Sequence, residues 1–202
     1  MNSTKLIIGI LIIVVIILLI GLLLPKILNK EEKIMNTIVV IETSKGNIEL
    51  ELFDTNAPNT VKNFLEYVNT GFYENTVFHR VIKGFMVQGG GFIEDGSQKD
   101  VLDAIDLEST NITNLKNETG TVAMARTNDP NSATAQFFVN VTNNSFLDYS
   151  APNNPGYAVF GKVISGMEIV TAIENVETTT KYQHYQDWPV EDIIIKKVYI
   201  KK

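Results

Sequence analysis

An uninterrupted apolar run near the N-terminus most strongly constrains how this chain can fold. Residues 6–24 read LIIGILIIVVIILLIGLLL and contain no charged side chain. A helix of about 20 such residues spans the ~30 Å hydrocarbon core of a bilayer. A cleaved signal peptide is the main alternative, but its apolar part normally has about 7–15 residues and ends at a small-residue site, which this run lacks. The run therefore predicts an uncleaved transmembrane anchor over residues 1–28, followed by a polar linker over residues 29–36.

The remainder of the chain is acidic and has no cysteine. Residues 1–35 carry four lysines and two glutamates, so the other residues carry a charge of −8 within a total of −6. Nucleic-acid binding needs clustered positive charge, and this balance argues against it. The absence of cysteine excludes disulfides, thiol catalysis and a lipid-modified cysteine, and two histidines are few for a zinc site. We therefore predict no metal and no cofactor.

Short strands separated by glycine- and asparagine-rich turns dominate residues 37–202, which we predict to be one domain. Alternating apolar and acidic residues over 48–52 indicate a half-buried strand. Apolar residues at helical spacing after Pro58 predict a first helix ending near Gly71, with one apolar face of Val61, Phe64, Leu65 and Val68. A second helix is predicted over residues 167–173, and residues 95–119 are predicted to be a long loop. The other predicted strands are residues 37–43, 77–82, 85–88, 121–125, 136–141, 157–163 and 193–200. Many short strands with two helices predict a β-barrel or sandwich.

The stretch FHRVIKGFMVQGGG, residues 78–91, places a histidine and an arginine inside an apolar strand. Side chains alternate between faces of a strand, so Arg80 is expected to share a face with Phe78 and Ile82, opposite His79. An arginine on an apolar face must be bonded or reach solvent. The residues alone leave open an ion pair with an acidic residue or a fixed cation at the floor of an apolar cleft, and they favour the ion pair. For His79 they favour a buried structural histidine.

This stretch resembles the signature of the cyclophilin family of peptidyl-prolyl cis-trans isomerases. The resemblance continues in order through MARTNDPNSATAQFFV (residues 124–139), FLD (146–148) and VFGKV (159–163), and it covers about residues 37–201. The sequence of residues 124–138 is similar to that of the prokaryotic members of the family. The resemblance implies a mainly β fold, a closed eight-stranded antiparallel barrel capped by two helices, with the active cleft on its outer face.

The resemblance also implies roles for individual residues. Arg80 matches the main catalytic residue, and Ala125 and Arg126 match a segment that holds the substrate backbone, although many members have asparagine where Arg126 stands. The implied substrate-binding set is His79, Phe85, Met86, Gln88, Ala125, Arg126, Gln136, Phe138, Phe146, Leu147 and Tyr157. Phe146 stands where animal cytosolic members have tryptophan, which implies weakened binding of the inhibitor cyclosporin.

The predicted function is catalysis of rotation about X–Pro bonds, assisting protein folding at the membrane by a monomer that acts on proline-containing polypeptides. A proline-binding or chaperone module with little catalysis is the alternative.

The sequence gives conflicting indications of the side of the membrane on which the catalytic domain lies. Three lysines follow the apolar run and one precedes it, which favours a cytoplasmic domain, but large domains translocate largely regardless of charge. Four N-x-[ST] sequons, at Asn111, Asn117, Asn140 and Asn143, are glycosylation acceptors only in an exported domain. We predict a single-pass cell-membrane protein with an extracytoplasmic catalytic domain.

Overall fold

A computed structural model describes residues 12, 13, 16, 17, 19, 36–150 and 153–202. Asn36–Lys202 form one compact unit. Most of the predicted anchor, apart from Ile12, Ile13, Ile16, Ile17 and Leu19, and nearly all of the predicted linker lie outside the described residues. Within the described residues, no helix is both long and apolar enough to cross a membrane.

Antiparallel strands make up most of this unit, which confirms the mainly β class. The first half of the chain provides β1 Ile38–Thr43, β2 Asn47–Leu52, β3 Thr76–Val77, β4 Arg80–Ile82 and β5 Met86–Gly89. The second half provides β6 Thr121–Met124, β7 Phe137–Asn140, β8 Val159–Ser165, β9 Thr178–Lys181, β10 Tyr185–Pro189 and β11 Ile194–Ile200. Nine of these strands form one sheet in the order β3-β11-β1-β2-β8-β6-β7-β5-β4, and β9 and β10 form a separate hairpin.

The two edge strands of the nine-stranded sheet are consecutive in the chain. Only Phe78 and His79 separate the end of β3 from the start of β4, so the sheet curls until its edges are two residues apart. The single strand predicted over residues 77–82 is therefore wrong, because the chain breaks its strand geometry at these two residues. This break raises the strand count of the sheet from the predicted eight to nine.

The break also corrects the predicted side-chain pattern. Phe78 packs into the main core with Val81, whereas Ile82 packs on an outer apolar cluster beside Met86. Phe78 and Arg80 therefore do not share a face, since the residues between β3 and β4 do not keep the period of two.

Both predicted helices are confirmed, as α1 Pro58–Asn69 and α3 Met167–Glu174. Pro58 occupies the first turn of α1, where its missing N–H is tolerated, and Gly71 follows the helix with a φ of +68°. Two single-turn elements were not predicted, α2 Thr110–Thr113 and a 3₁₀ helix at Ser145–Leu147. Apart from α2 and isolated bridges at Gln98 and Ile105, the predicted loop over residues 95–119 has no regular structure.

The core lies inside the curl of the sheet. Ile48, Leu50 and Leu52 of β2 are at most 1% exposed, and the two glutamates between them are only partly buried, as their alternation predicts. Full burial of such a side chain contributes roughly 1.5–3 kcal/mol. On α1, Val61 and Phe64 face the same core.

Two of the four predicted sequon asparagines are structural. Asn117 is 1% exposed, and its Nδ2 donates to Asp148 Oδ1 (2.9 Å) and to the Leu147 carbonyl (3.2 Å). Asn140 is fully buried, and its Nδ2 donates to Thr121 Oγ1 (2.9 Å). Neither side chain is accessible for glycosylation in the folded domain. Asn111 and Asn143 are exposed.

Candidate active site

One cavity of about 110 Å³ gathers nine of the twelve residues that the sequence predicts for the site. Its lining is Arg80, Phe85, Met86, Gln88, Ala125, Arg126, Phe138, Leu147 and Tyr157. We call this space the proline cavity, after the residue that the resemblance to cyclophilins implies it would bind. The remaining three predicted residues, His79, Gln136 and Phe146, lie around it.

The register of four neighbouring strands explains why these residues converge. Arg80 of β4 lies directly opposite Gln88 of β5, which lies opposite Phe138 of β7, which in turn lies opposite Ala123 of β6. The adjacent row, Val81, Val87, Val139 and Val122, points into the core. Because side chains alternate along each strand, the first row must face away from the main core, and three of its members, Arg80, Gln88 and Phe138, line the cavity.

Arg80 provides the positive charge of the cavity. Its side chain is 43% exposed, and its Nε lies 3.9 Å from Asp187 Oδ2, beyond hydrogen-bond distance. Among the described residues, no hydrogen-bond partner of the guanidinium is found. Both arrangements left open by the sequence therefore occur together, since Arg80 has a weak ion pair and also lines an apolar cleft.

The apolar wall of the cavity is rigidly packed. Met86, Phe138 and Leu147 are each at most 8% exposed and form one cluster against Val159 and Ala123. The Tyr157 ring meets Phe138 edge to face, with centroids 5.8 Å apart. The cavity therefore has a small apolar wall.

Phe146 lies at the rim and not in the lining. Its side chain is 63% exposed, and its ring lies 5.5 Å from that of Phe85, a lining residue. It can therefore contact a ligand that extends beyond the proline cavity.

The opposite edge of the cavity is polar. Gln88 Nε2 donates to Gln136 Oε1 at 2.9 Å, which fixes the Gln88 side chain. Gln136 lines a neighbouring space of about 240 Å³ that also includes Gln88, Ala125 and Arg126. The glycine run after Gln88 makes room for this arrangement, because a Cβ on Gly91 would lie 2.5 Å from Gln136 Cγ.

Arg126 holds one end of the cavity in place. Its Nε and Nη2 donate to the Gly156 carbonyl at 3.1 and 2.8 Å, and Nη1 donates to the Thr127 carbonyl at 2.8 Å. The guanidinium carbon lies 4.3 Å from the centre of the Tyr157 ring, a cation–π geometry. The side chain is thus occupied by the protein itself, and Arg126 can serve a substrate through its backbone.

His79 lies outside the lining of the proline cavity. It is 6% exposed and packs against Phe92 and Trp188, with ring centroids at 4.6 and 5.8 Å. Burial lowers the pKa of His79 to about 4, and the charge of Arg80 adds to the lowering. The neutral ring in apolar packing matches the buried structural histidine that the residues alone favoured.

One residue that lies next to the site was not predicted from the sequence. Asp187 belongs to the β9–β10 hairpin and reaches Arg80 from outside the main sheet. No periodicity or motif in the segment points to this contact, which depends on an irregular register in the hairpin.

Comparison with known proteins decides the family. The model of the family described as cyclophilin type peptidyl-prolyl cis-trans isomerase/CLD matches residues 38–200. The chain belongs to the cyclophilin family. It is a peptidyl-prolyl cis-trans isomerase, and its substrates are proline-containing peptides.

Bacterial cyclophilins are similar over the same segment. A peptidyl-prolyl cis-trans isomerase of Streptomyces antibioticus is 52% identical over 164 residues, 80% of this chain and 97% of that protein. Peptidyl-prolyl cis-trans isomerase B of Escherichia coli K12 is 50% identical over 80% of this chain and 98% of its own.

A solved cyclophilin has the same fold. A crystal structure of a Cryptosporidium parvum cyclophilin in the presence of the dipeptide Ala-Pro has a TM-score of 0.67 and 31% identity. It covers 82% of this chain and 99% of that one.

Proposed function

We propose that Arg80 accelerates X–Pro rotation by donating a hydrogen bond to the proline nitrogen in the twisted state. Amide resonance sets a barrier of roughly 18–20 kcal/mol to this rotation. Twisting removes the double-bond character of the C–N bond, and the proline nitrogen regains its lone pair. A donor that reaches this nitrogen only in the twisted state lowers the barrier without tightening ground-state binding.

The surroundings of Arg80 suit this role. The guanidinium is always charged and offers several donors in a planar fork. Its only charged neighbour among the described residues is Asp187 at 3.9 Å, so its donors remain available for a substrate. The apolar wall of Phe85, Met86 and Phe138 excludes water from one side, which strengthens a hydrogen bond formed there.

The same geometry supports the roles that we propose for the other lining residues. The apolar wall holds the proline ring while the preceding carbonyl turns. Gln88, held by Gln136, bonds the substrate backbone next to the proline, and the backbone at Ala125 and Arg126 supports the peptide on the same side. The single observation that carries the proposal is the cross-strand pair of Arg80 and Gln88, which places a cation and an amide at the floor of one apolar cavity.

The test is a cis-to-trans assay on an Ala-Pro peptide with residues 36–202. These residues form a compact unit, and the similar bacterial cyclophilins consist almost entirely of the matching segment, so the domain is expected to fold without residues 1–35. Acceleration that is lost in Arg80→Ala supports the proposal. Peptide binding without acceleration would favour a proline-binding module.

We also propose that the curled sheet is completed as a closed eight-stranded barrel, with β3 and β4 acting as one strand bent at Phe78 and His79. Support comes from the two separate pairings, β3 with β11 and β4 with β5, on either side of the bend. Closure removes exposed sheet edges, which otherwise promote aggregation.

We further propose that residues 1–28 anchor a monomeric enzyme in the cell membrane with the catalytic domain outside. Residues 6–24 have the required length and no charge. The described residues of this run are helical and 48–62% exposed, namely Ile12, Ile13, Ile16, Ile17 and Leu19. A tether raises the effective concentration of the enzyme near chains that emerge from the membrane, and this supports a role in their folding.

A further inference from the structure

A second cavity, of about 280 Å³, is lined by Arg80 but not by Gln88 or Gln136. We call it the hairpin cavity, because β10 of the β9–β10 hairpin supplies Tyr185 and Asp187 and the turn of the hairpin supplies His184. Phe92, which precedes the long loop, also lines it. Arg80 lines both this cavity and the proline cavity, so the two spaces are adjacent.

Aromatic rings dominate the walls of the hairpin cavity. The rings of His184 and Tyr185 have centroids 4.1 Å apart, and those of Phe92 and Tyr185 are 5.0 Å apart. The fully buried ring of Trp188 supports Tyr185 from behind at 5.7 Å. Such pairs contribute about 0.5–1.5 kcal/mol beyond the apolar area that they bury. The walls therefore present a continuous aromatic surface.

This surface is held in a fixed position. Trp188 Nε1 donates to Asp192 Oδ1 at 2.6 Å, and Lys181 Nζ donates to the same oxygen at 2.9 Å. Lys181 belongs to β9 and Trp188 to β10, so this carboxylate joins both strands of the hairpin. A pre-formed wall of this kind costs little ordering when a ligand binds.

The charges around the hairpin cavity balance. Arg80 and Asp187 have opposite charges, with Nε and Oδ2 3.9 Å apart, so a charged ligand group gains little net attraction from the pair. His79 also lines the cavity, its Nδ1 is buried without a hydrogen-bond partner, and its ring is neutral near pH 7. An uncharged planar group fits this environment best.

The position of the hairpin cavity relates it to the substrate chain. The space around Gln136, the proline cavity and the hairpin cavity follow one another, with Gln88 shared by the first two and Arg80 shared by the last two. An extended peptide advances about 3.3 Å per residue, and its side chains alternate between two sides. Because the two cavities share Arg80, a side chain one or two positions from the proline is the one expected to enter the hairpin cavity.

We propose that the hairpin cavity is a substrate subsite for an aromatic side chain, on the side of the proline away from Gln136. The inference rests on the proposed function, because it requires the proline to occupy the cavity beside Arg80. The enzyme is then selective among X–Pro sites, with preference for sites flanked by tyrosine, phenylalanine or tryptophan on one side.

The experiment uses Ala-Pro peptides that carry one tyrosine, leucine, lysine or alanine, placed one or two positions before or after the Ala-Pro pair. Both kcat/KM and Kd are measured with residues 36–202. The expected result is a roughly three- to tenfold advantage of tyrosine over alanine on one side of the proline only, consistent with one or two aromatic contacts. Lysine is expected to gain nothing over alanine.

Variants of residues that line the hairpin cavity test whether the preference for the tyrosine peptide arises there. Tyr185→Ala and His184→Ala are each expected to bring the ratio of tyrosine to alanine peptide close to one. Tyr199→Ala is the matched control, since Tyr199 on β11 lines neither cavity, and it should keep the wild-type ratio.

The outcomes separate the subsite from the proposed function. Failure to isomerise the alanine peptide contradicts the proposed function. In that case the ratio of Kd for the tyrosine and alanine peptides still tests the subsite. A ratio near one in the wild-type domain, a preference for lysine, or a tyrosine preference that survives Tyr185→Ala overturns the subsite.

Discussion

Asp187 Oδ2 lies 3.9 Å from Arg80 Nε, and this contact joins the β9–β10 hairpin to the active site. Asp187 adopts a φ of +59° within an irregular stretch of β10, where the register with β9 shifts between Tyr185 and Trp188. Positive φ is uncommon for residues other than glycine and is accepted best by asparagine and aspartate. The extra residue in β10 turns the carboxylate toward Arg80 and not along the strand.

Replacing Asp187 by asparagine tests how much this contact matters. Asparagine tolerates the same backbone conformation, so the change removes the charge and preserves the hairpin. Both side chains are more than 40% exposed, and pairs of this kind contribute at most about 1 kcal/mol. We expect kcat/KM to fall by less than tenfold and to depend less on salt than in the wild type. A larger loss would show that Asp187 is required to place the guanidinium.

The burial of His79 predicts a specific pH dependence of stability. Its folded pKa of about 4 is below the unfolded value of about 6.5, so the unfolded chain binds the proton more readily. Burial of neutral His79 therefore lowers the free energy of unfolding only in acid. Its stabilising contribution is complete above pH 6.5 and is lost as the pH falls to 4, a change of roughly 3 kcal/mol. Urea unfolding of the wild type and of His79→Phe at pH 7 and pH 4 measures the difference.

The phenylalanine keeps the ring packing against Phe92 and Trp188 but cannot be protonated. We expect it to lose less stability than the wild type between these two pH values. His184→Gln is the control, because His184 is exposed, and it should follow the wild type. If the wild type and His79→Phe lose equal stability between pH 7 and pH 4, protonation of His79 is not the cause of the loss.

Much of the site was predictable because its residues sit in three short segments with strand spacing. Within each of β4, β5 and β7, a period of two separates the side chains that face the core from those on the other side. The resemblance to cyclophilins then indicates that Arg80, Gln88 and Phe138 are the ones on the side of the site. The position of His79 was not predictable from strand periodicity. It depends on the bend between β3 and β4, where Phe78 and His79 interrupt the strand geometry.

The hairpin was missed for a different physical reason. Residues 178–181 read TTTK and are largely exposed, so they have no apolar alternation to indicate a strand. The hairpin is stabilised by the hydrogen bond of Trp188 to Asp192 and by the tertiary contact of Trp188 with Phe92, and neither is visible as an apolar pattern in the sequence. The Asp187 contact depends in turn on this hairpin.

Phe146 predicts weakened inhibition by cyclosporin. The residue lies at the rim with 63% of its side chain exposed, and phenylalanine lacks the indole N–H donor and some contact area of tryptophan. We expect Phe146→Trp to lower the cyclosporin concentration that halves activity, with kcat/KM on an Ala-Pro peptide little changed. Equal inhibition of both proteins would mean that this position does not control inhibitor binding.

Membrane orientation has a direct measurement. We expect protease added to intact cells to digest the catalytic domain of the full chain and to leave a cytoplasmic control protein intact. Digestion only after lysis would place the domain in the cytoplasm. In a glycosylating host, only the exposed sequons Asn111 and Asn143 are available in the folded domain, so mobility shifts at Asn117 or Asn140 would indicate modification before folding.

The most direct test of the account is the isomerisation rate of Arg80→Ala. Loss of one oriented transition-state donor is expected to cost about 2.7–4 kcal/mol, or roughly 10²–10³ in kcat/KM. Arg80→Lys should recover little, because the planar fork of donors is lost. Stability should change by less than about 1 kcal/mol, since the side chain is 43% exposed and only weakly paired. A folded Arg80→Ala domain that isomerises an Ala-Pro peptide at nearly the wild-type kcat/KM would contradict the central role of Arg80.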